Sequence, residues 1–325
     1  MLFRSYVGGG ASAVFSDMLG NHSLSTAVQA QGTVKDIGGG VFYSDLGDRW
    51  NWGVGLSHIP YVVSYISQGV DEKGPFLGQI LDRVYVSSAM GVMIYPLSST
   101  RRFELQGGFT RYASNQQIQK FYVDQYGRCC IDEQQEDLSS RFDPLDLATA
   151  SVGIVHDNSF FGFTSPVRGS RSRYQVGATT GTLNYLTLNA DWRRYFGLNR
   201  NLTFAMRAMH WGQYGNLVAH DQQVLQPQYL GYEWFIRGYD YSSFTPQECT
   251  LSQTDESATD SGSCPVRNRL FGNKLGVVNA EFRVPLLGVE QYGVLNFPFV
   301  PTELEIFADG GVAWDSHILD AQGTL

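Results

Sequence analysis

The 325-residue sequence lacks any run of about 18 apolar residues, which a helical membrane protein would need. Charged residues make up only 17% of the chain, which disfavours a charge-rich helical protein. Disorder is excluded as well, because 43% of the residues are apolar. The net charge is -8, and the sequence has no cluster or stripe of basic residues. Because nucleic-acid binding needs such a basic surface, this class of protein is excluded.

Signatures of catalysis and metal binding are also missing. There is no Gly-x-Ser-x-Gly nucleophile motif, and the six His residues are scattered without zinc-ligand spacing. The sequence therefore predicts that the protein is not an enzyme and has no catalytic residues, cofactor or metal site. The first ten residues contain no apolar signal-peptide core, so an exported protein of this sequence would be a mature form or a fragment.

Glycine and aromatic residues are abundant instead. The chain has 36 Gly, which disfavour helices, and 14% aromatic residues, which favour strands. Apolar residues also recur at every second position, as in Trp50, Trp52, Val54 and Leu56, which is typical of strands with one apolar face. Two classes remain, a soluble all-β protein and a transmembrane β-barrel.

Twelve segments carry this alternation. They are residues 11–18, 23–32, 36–45, 49–61, 81–95, 102–113, 146–156, 171–180, 182–196, 202–211, 274–286 and 303–314. Most exceed the usual strand length of about 5–6 residues and reach the roughly 9–11 that cross a bilayer at a tilt. We therefore predict an all-β, up-and-down antiparallel transmembrane β-barrel.

The connections between these segments support the same class. The three longest, at 62–80, 114–145 and 212–273, fall at one end of an up-and-down sheet, as outer loops do in outer-membrane barrels. Aromatic residues near the segment ends are expected to form girdles at the membrane interfaces; these include Tyr195, Phe196, Trp211, Phe282 and Trp314.

A motif in the longest connection narrows the prediction further. Residues 236–239 read Ile-Arg-Gly-Tyr, with Arg237 and Gly238 at the centre. On the strands that follow, alternation places Glu281 and Asp309 on the polar face of neighbouring strands, where a cation can reach both.

These residues resemble motifs of the Omp85 superfamily, the bacterial outer-membrane barrels that include BamA and TamA, in their bacterial surface antigen portion. The loop motif corresponds to residues 236–239, the strand motif Asn-x-Glu-x-Arg-x-Pro to residues 279–285, and the motif aromatic-x-Asp-x-Gly to residues 307–311. The resemblance implies that the loop folds into the barrel lumen, where Arg237 pairs with Glu281 and Asp309. Gly238 would allow a tight turn, and Tyr239 would pack against the barrel wall.

The resemblance also implies the organisation of the chain. Residues 1–325 would form a single, incomplete barrel domain with about 12–13 of the sixteen strands, a lumenal and extracellular loop at about 212–273, and no POTRA domains. Within that outer loop, Cys249 and Cys264 are separated by 14 residues, and we predict a disulfide between them because the outer surface is oxidising. No role is predicted for Cys129 and Cys130.

The resemblance finally implies a location and a role. The protein would lie in the bacterial outer membrane, in contact with its lipid, and would assist the insertion, assembly or translocation of proteins or lipids without catalysis. Its expected partners are nascent outer-membrane proteins and periplasmic or fused domains. Two alternatives stay open: a passive anchor or pore serving a fused or partner domain, and a secreted soluble β-sandwich.

Overall fold

The computed structural model describes residues 8–31, 34–71, 73–123, 129–138, 140, 143–219, 222–223, 227–245, 265–291, 293–297 and 299–314. Within these residues the chain is almost entirely β-structure, with strands numbered here in chain order. The strands are β1 (Gly8–Ser16), β2 (His22–Gln31), β3 (Ile37–Asp45), β4 (Asn51–Asp71), β5 (Gly74–Ser98), β6 (Arg101–Val123), β7 (Cys129–Leu138), β8 (Leu145–Asp157), β9 (Phe160–Phe161), β10 (Pro166–Gly181), β11 (Asn184–Asn199), β12 (Leu202–Asn216), β13 (Val218–Ala219), β14 (Gln222–Gln223), β15 (Gln228–Tyr229), β16 (Phe271–Gly272), β17 (Lys274–Gly288), β18 (Leu295–Asn296) and β19 (Thr302–Trp314). The helical elements among the described residues are the 3₁₀ turns Val34–Asp36 and Tyr241–Ser243 and the short helix α1 (Pro265–Asn268).

The long strands belong to one sheet and follow each other in chain order. This order is β1-β2-β3-β4-β5-β6-β8-β10-β11-β12-β17, with β19 beside β17 and β7 beside β6. Each of the twelve predicted segments corresponds to one of these strands, which confirms the all-β, up-and-down prediction. A β-sandwich needs two sheets packed face to face, so this arrangement is inconsistent with the soluble alternative.

Backbone contacts divide the chain into two compact units. Unit 1 comprises Met1–Ile94, Leu105–Ala150 and Thr180–Thr182, and unit 2 comprises Tyr95–Glu104, Ser151–Thr179 and Leu183–Leu325.

In unit 1, two connections that were predicted as loops are largely β-hairpins. β4 and β5 remain paired through Asp71, and β7 pairs with β6 along residues 116–123. The prediction of loops is therefore wrong for 62–80 and for much of 114–145. Strict alternation ends at Val62 and Val63, so the signal that identified the first part of β4 does not extend over the hairpin.

A buried ion pair connects three elements of unit 1. The Nε of Arg83 on β5 donates to Oδ1 of Asp36, at 2.8 Å, in the first 3₁₀ turn. Its Nη1 donates to Oε1 of Gln117 on β6, at 3.1 Å. Because both charged side chains are buried, removing either one would leave an uncompensated charge, which typically costs about 3–5 kcal/mol.

The strands of unit 2 separate polar and apolar side chains onto two faces. On β17, Asn279, Glu281 and Arg283 lie on one face, and Val278 and Phe282 lie exposed on the other. We call these the polar face and the outer face. The segregation follows the period of two that the sequence predicts for this strand.

One aromatic row lies on the outer face near the turn between β11 and β12. The rings of Phe196, Phe204 and Phe282 are aligned across three strands, with centroid separations of 6.1 and 4.9 Å. Antiparallel register places them directly opposite one another, the arrangement in which cross-strand aromatic pairs stabilise a sheet.

A second row lies at the other end of the same strands. His210 stacks on Trp314 at 5.7 Å, and its Nε2 lies 2.7 Å from the hydroxyl of Tyr214. Phe204 and Tyr214 are ten residues apart on β12, about 33 Å along the strand and about 25 Å along the normal of a tilted barrel. This separation matches the height of the apolar band on outer-membrane barrels.

Two residues predicted for the girdles lie elsewhere. Tyr195 is buried on the polar face, and Trp211 packs against a buried apolar cluster on that face. Their odd positions on β11 and β12 place them on the polar face, whereas their even-numbered neighbours Phe196 and His210 lie on the outer face. Whether a position is odd or even along the strand therefore predicts the face of an aromatic side chain better than its closeness to the strand end does.

No helix within the described residues is both long enough and apolar enough to cross a bilayer.

The outer face predicts a sharp difference between two arginine substitutions. Val278→Arg, between the aromatic rows, should destabilise the chain in lipid bilayers by about 2–4 kcal/mol, because it places a charge at the middle of the apolar band. Thr187→Arg, on the polar face of β11, should change the stability much less. Urea unfolding in liposomes, followed by Trp fluorescence, measures both. Equal losses for the two variants would contradict the assignment of the faces.

Candidate functional site

The connection between β12 and β17 contains a segment that packs back onto the polar face of unit 2. This docked segment (residues 228–239) begins where β15 pairs with β16 and Leu230 N donates to Leu270 O at 2.8 Å. A tight turn follows, in which the amides of Phe235 and Ile236 donate to the carbonyl of Tyr232, at 2.8 and 3.1 Å. The turn directs Arg237 toward the strands.

An apolar contact holds the first half of the docked segment. Leu230, Phe235 and Ile236 form one buried cluster with Leu275 and Val277 of β17. Leu275 and Val277 occupy polar-face positions near the start of β17, so the hydrophobic residues there are matched to the loop that covers them. Burying side chains of this size contributes roughly 1.5–3 kcal/mol each.

Asp309 on β19 is the principal partner of Arg237. Its Oδ2 accepts from the backbone amide of Arg237 at 3.1 Å and from Nε at 2.7 Å, and its Oδ1 accepts from Nη2 at 2.7 Å. The pair is therefore bidentate, the strongest geometry for a guanidinium and a carboxylate. The Asp309 side chain is only 3% exposed, whereas that of Arg237 is 25% exposed.

Two more carboxylates and an aromatic ring complete the guanidinium site. Nη2 of Arg237 donates to Glu281 at 2.8 Å, and Nη1 donates to Glu305 at 2.5 Å. The guanidinium carbon lies 3.7 Å from the centre of the Phe307 ring, which gives a cation–π contact. The contacts cover both the edge and one face of the planar group.

The electrostatics of the site favour a charged arginine. The hydrogen bond with Asp309, followed by the one with Glu305 and the charge of Glu281, raises the pKa of Arg237 above its usual range, although burial acts in the opposite direction. Glu281 is also paired with Arg283, whose Nε donates at 2.8 Å. The acidic groups are thus partly neutralised by a second cation.

The structure brings together the three charged residues that the sequence singled out, and it adds Glu305 and Phe307. The signal for these two was present in the sequence, because residues 305, 307 and 309 share one face of a strand. Neither residue was assigned to Arg237, since the resemblance supplied only Glu281 and Asp309 as partners.

Gly238 and Tyr239 follow the arginine. Gly238 has a φ of 88°, in the left-handed region that favours glycine, and so permits the turn after Arg237. Tyr239, which was expected to pack against the barrel wall, is half exposed, and its backbone carbonyl accepts from the hydroxyl of Tyr229 at 2.6 Å.

Two strand residues hold the backbone of the docked segment from the side. Nδ2 of Asn279 donates to the carbonyl of Phe235 at 2.9 Å and to Oδ1 of Asp309 at 2.8 Å. Nη1 of Arg207 on β12 donates to the carbonyl of Trp234 at 2.6 Å. Sequence reasoning gave Asn279 no contact and missed Arg207; the only signal for Arg207 was its polar-face parity.

Gly311 leaves room for the docked segment. A methyl group at this position would lie 2.6 Å from Cδ1 of Ile236, 3.0 Å from the backbone oxygen of Gly276 and 3.3 Å from Cδ1 of Leu230. Asp309 and Gly311 therefore serve the same loop from one face of β19: the first binds Arg237, and the second accommodates Ile236.

Cys249 and Cys264, for which a disulfide was predicted, lie outside the described residues. Cys129 and Cys130 begin β7, and no role is assigned to them.

Comparison with known proteins agrees with this geometry. The sequence matches the Omp85 superfamily domain over residues 79–324. The fold resembles the crystal structure of BamA from Haemophilus ducreyi lacking POTRA domains 1-3, with a TM-score of 0.54 and 14% sequence identity over 97% of this chain. No curated protein sequence matches the chain.

The structural likeness establishes the fold, and the chain spans 56% of the length of that BamA chain. The family match covers most of the sequence and ends beyond β19. Omp85 proteins are proteins of the outer membrane, and the family is associated in general with outer-membrane proteins or lipids. The chain belongs to the Omp85 superfamily.

Proposed function

We propose that this chain is a non-enzymatic barrel of the bacterial outer membrane that assists the insertion, assembly or translocation of proteins or lipids. The observation that carries the proposal is the docking of Arg237 on Asp309, Glu281 and Glu305. A barrel that serves only as an anchor has no evident need for a loop fixed on its polar face by so many groups.

The outer face supports the location. Two aromatic rows bound an exposed apolar strip of the height expected for a bilayer core. In water, so large an exposed apolar surface would favour aggregation. In a membrane it would contact lipid, and the polar face would then line the lumen.

The docked segment supports the mechanism. Its carbonyls and Arg237 are bound by β12, β17 and β19 together, so the loop fixes these three strands relative to one another. A fixed lumenal loop keeps this part of the wall rigid while a substrate is handled elsewhere on the barrel. The chemistry required is binding and positioning, with no bond made or broken.

The pairing predicts that arginine cannot be replaced by lysine. Arg237→Lys keeps the charge but loses the bidentate contact with Asp309, and Arg237→Ala leaves three carboxylates without their partner. We expect Arg237→Ala to cost about 3 kcal/mol and Arg237→Lys a large part of that. Urea unfolding in detergent and trypsin cleavage of the loop measure the effect.

Arg168→Lys provides the control, because Arg168 is exposed near the start of β10. It should leave stability and the rate of cleavage unchanged. If Arg237→Lys behaved like this control, the guanidinium geometry would have no role in docking.

The space above Gly311 predicts a difference between neighbouring glycines. Gly311→Ala should displace Ile236 and cost about 1–3 kcal/mol by overpacking. Gly310→Ala, on the outer face with no atom within 4 Å of the added methyl, should be nearly neutral. Adding Ile236→Val to Gly311→Ala should restore part of the loss in urea unfolding, and the absence of any rescue would argue against this contact.

The functional proposal is tested in liposomes that contain the chain. A urea-denatured, eight-stranded outer-membrane barrel is added, and its folding is followed by heat-modifiable migration on gels. We expect faster folding than in liposomes with an equal amount of an unrelated porin, and a smaller effect with Arg237→Ala. Folding no faster than with the porin would favour the alternative role, a passive anchor or pore.

A further inference from the structure

A second group of charged residues lies on the polar face of unit 2, toward the turn between β11 and β12. We call it the arginine cluster; it consists of Arg102 on β6, Arg171 and Arg173 on β10, Arg193 on β11 and Arg207 on β12. Four of these residues, together with Asp191, line a cavity of about 260 Å³. No residue of the docked segment lines this cavity.

The register of the strands makes the cluster unusual. Arg171 lies directly opposite Arg193, and Arg193 lies directly opposite Arg207. Like charges in directly opposed positions destabilise a sheet. A row of three arginines therefore requires compensation by other groups.

Acidic side chains supply part of this compensation. Glu104 accepts from Arg102 at 2.7 Å and from Arg173 at 2.5 Å. Asp191 is 2.8 Å from both Arg193 and Arg207, and Asp157 lies 3.5 Å from Arg171. Five arginines paired with three carboxylates leave a net charge of +2, although the whole chain carries -8.

Four of the five arginines are more exposed than any of the three carboxylates. Glu104 is 7% exposed and Asp191 is 18% exposed, whereas the side chains of Arg102, Arg171, Arg173 and Arg193 are between 37% and 54% exposed. Asp157 is 36% exposed, and Arg207, the fifth arginine, is 17% exposed. Glu104 and Asp191 are largely covered, and their ion pairs orient the guanidinium groups of Arg102, Arg173 and Arg193. A solute entering the cavity therefore meets positively charged hydrogen-bond donors that are already positioned.

From this geometry we infer that the arginine cluster binds a phosphate-bearing anion. Guanidinium groups match phosphate oxygens in charge and in bidentate geometry, and the cavity has room for a phosphate or pyrophosphate group. The same chemistry is offered by a phospholipid headgroup and by a soluble phosphate. Arg207 also binds the docked segment, but it does not line the cavity, and the proposed function rests on the contacts of Arg237. A failure to bind phosphate would therefore leave the proposed function untouched.

The test measures binding by calorimetry to the full chain in a non-ionic detergent. The probes are inorganic phosphate, pyrophosphate and dihexanoyl phosphatidylglycerol, with chloride at matched ionic strength. We expect the phosphate probes to bind and chloride to give no signal. Tighter binding of the short-chain lipid than of inorganic phosphate identifies a headgroup site, and the reverse order identifies a soluble phosphate; either result supports the inference.

Variants locate the site. Arg171→Gln combined with Arg173→Gln should weaken pyrophosphate binding at least tenfold. Arg194→Gln, next in sequence to Arg193 but on the outer face, should not weaken it. If the double variant misfolds because Glu104 loses its partner, adding Glu104→Gln removes the uncompensated charge, and the same loss of binding is expected.

Three results would overturn the inference: a chloride signal equal to that of phosphate, an equal loss of binding in Arg194→Gln, or binding of hexaglutamate without binding of phosphate. The last result would assign the cluster to acidic peptide segments instead.

Discussion

The rest of the site depends on the hydrogen bonds that the carboxylate of Asp309 accepts. It is almost fully buried and accepts four hydrogen bonds, three from Arg237 and one from Asn279. A buried carboxylate without such donors would be strongly unfavourable, so strand and loop stabilise each other. Asn279 also donates to the carbonyl of Phe235, and the same amide thus connects the acidic centre to the loop backbone.

Apolar and polar contacts make different contributions to the docking of the loop. The cluster of Leu230, Phe235 and Ile236 on Leu275 and Val277 supplies non-directional stabilisation through burial. The hydrogen bonds of Arg237 and Asn279 are directional and determine where the loop stops. Burial alone would tolerate several positions of the loop, and the bidentate pair selects one of them.

The sequence allowed the strands and the charged centre to be predicted, for different physical reasons. Alternation is strong where one face is apolar, so it identifies every long strand of the sheet except β7. It disappears after Val62, and the sequence therefore does not predict the hairpin that extends β4 and β5. Arg237, Glu281 and Asp309 were predicted together through a family motif. Arg207 was missed because a contact from a strand to a loop carbonyl leaves no pattern in sequence. The sequence alone does not connect Arg171 and Arg173 with acidic partners, since Asp157 and Glu104 lie on other strands.

Register connects the two sites. Arg171, Arg193, Arg207, Asn279 and Asp309 occupy directly opposed positions on five consecutive strands of the sheet. A slip of one residue in any of these pairings would turn a whole strand over and move its polar side chains to the outer face. For an arginine at mid-membrane the cost is about 2–4 kcal/mol, and the opposed aromatic row of Phe196, Phe204 and Phe282 would be lost at the same time. The polar row and the apolar band therefore specify the same register from opposite faces, and Asp309 meets Arg237 only in that register.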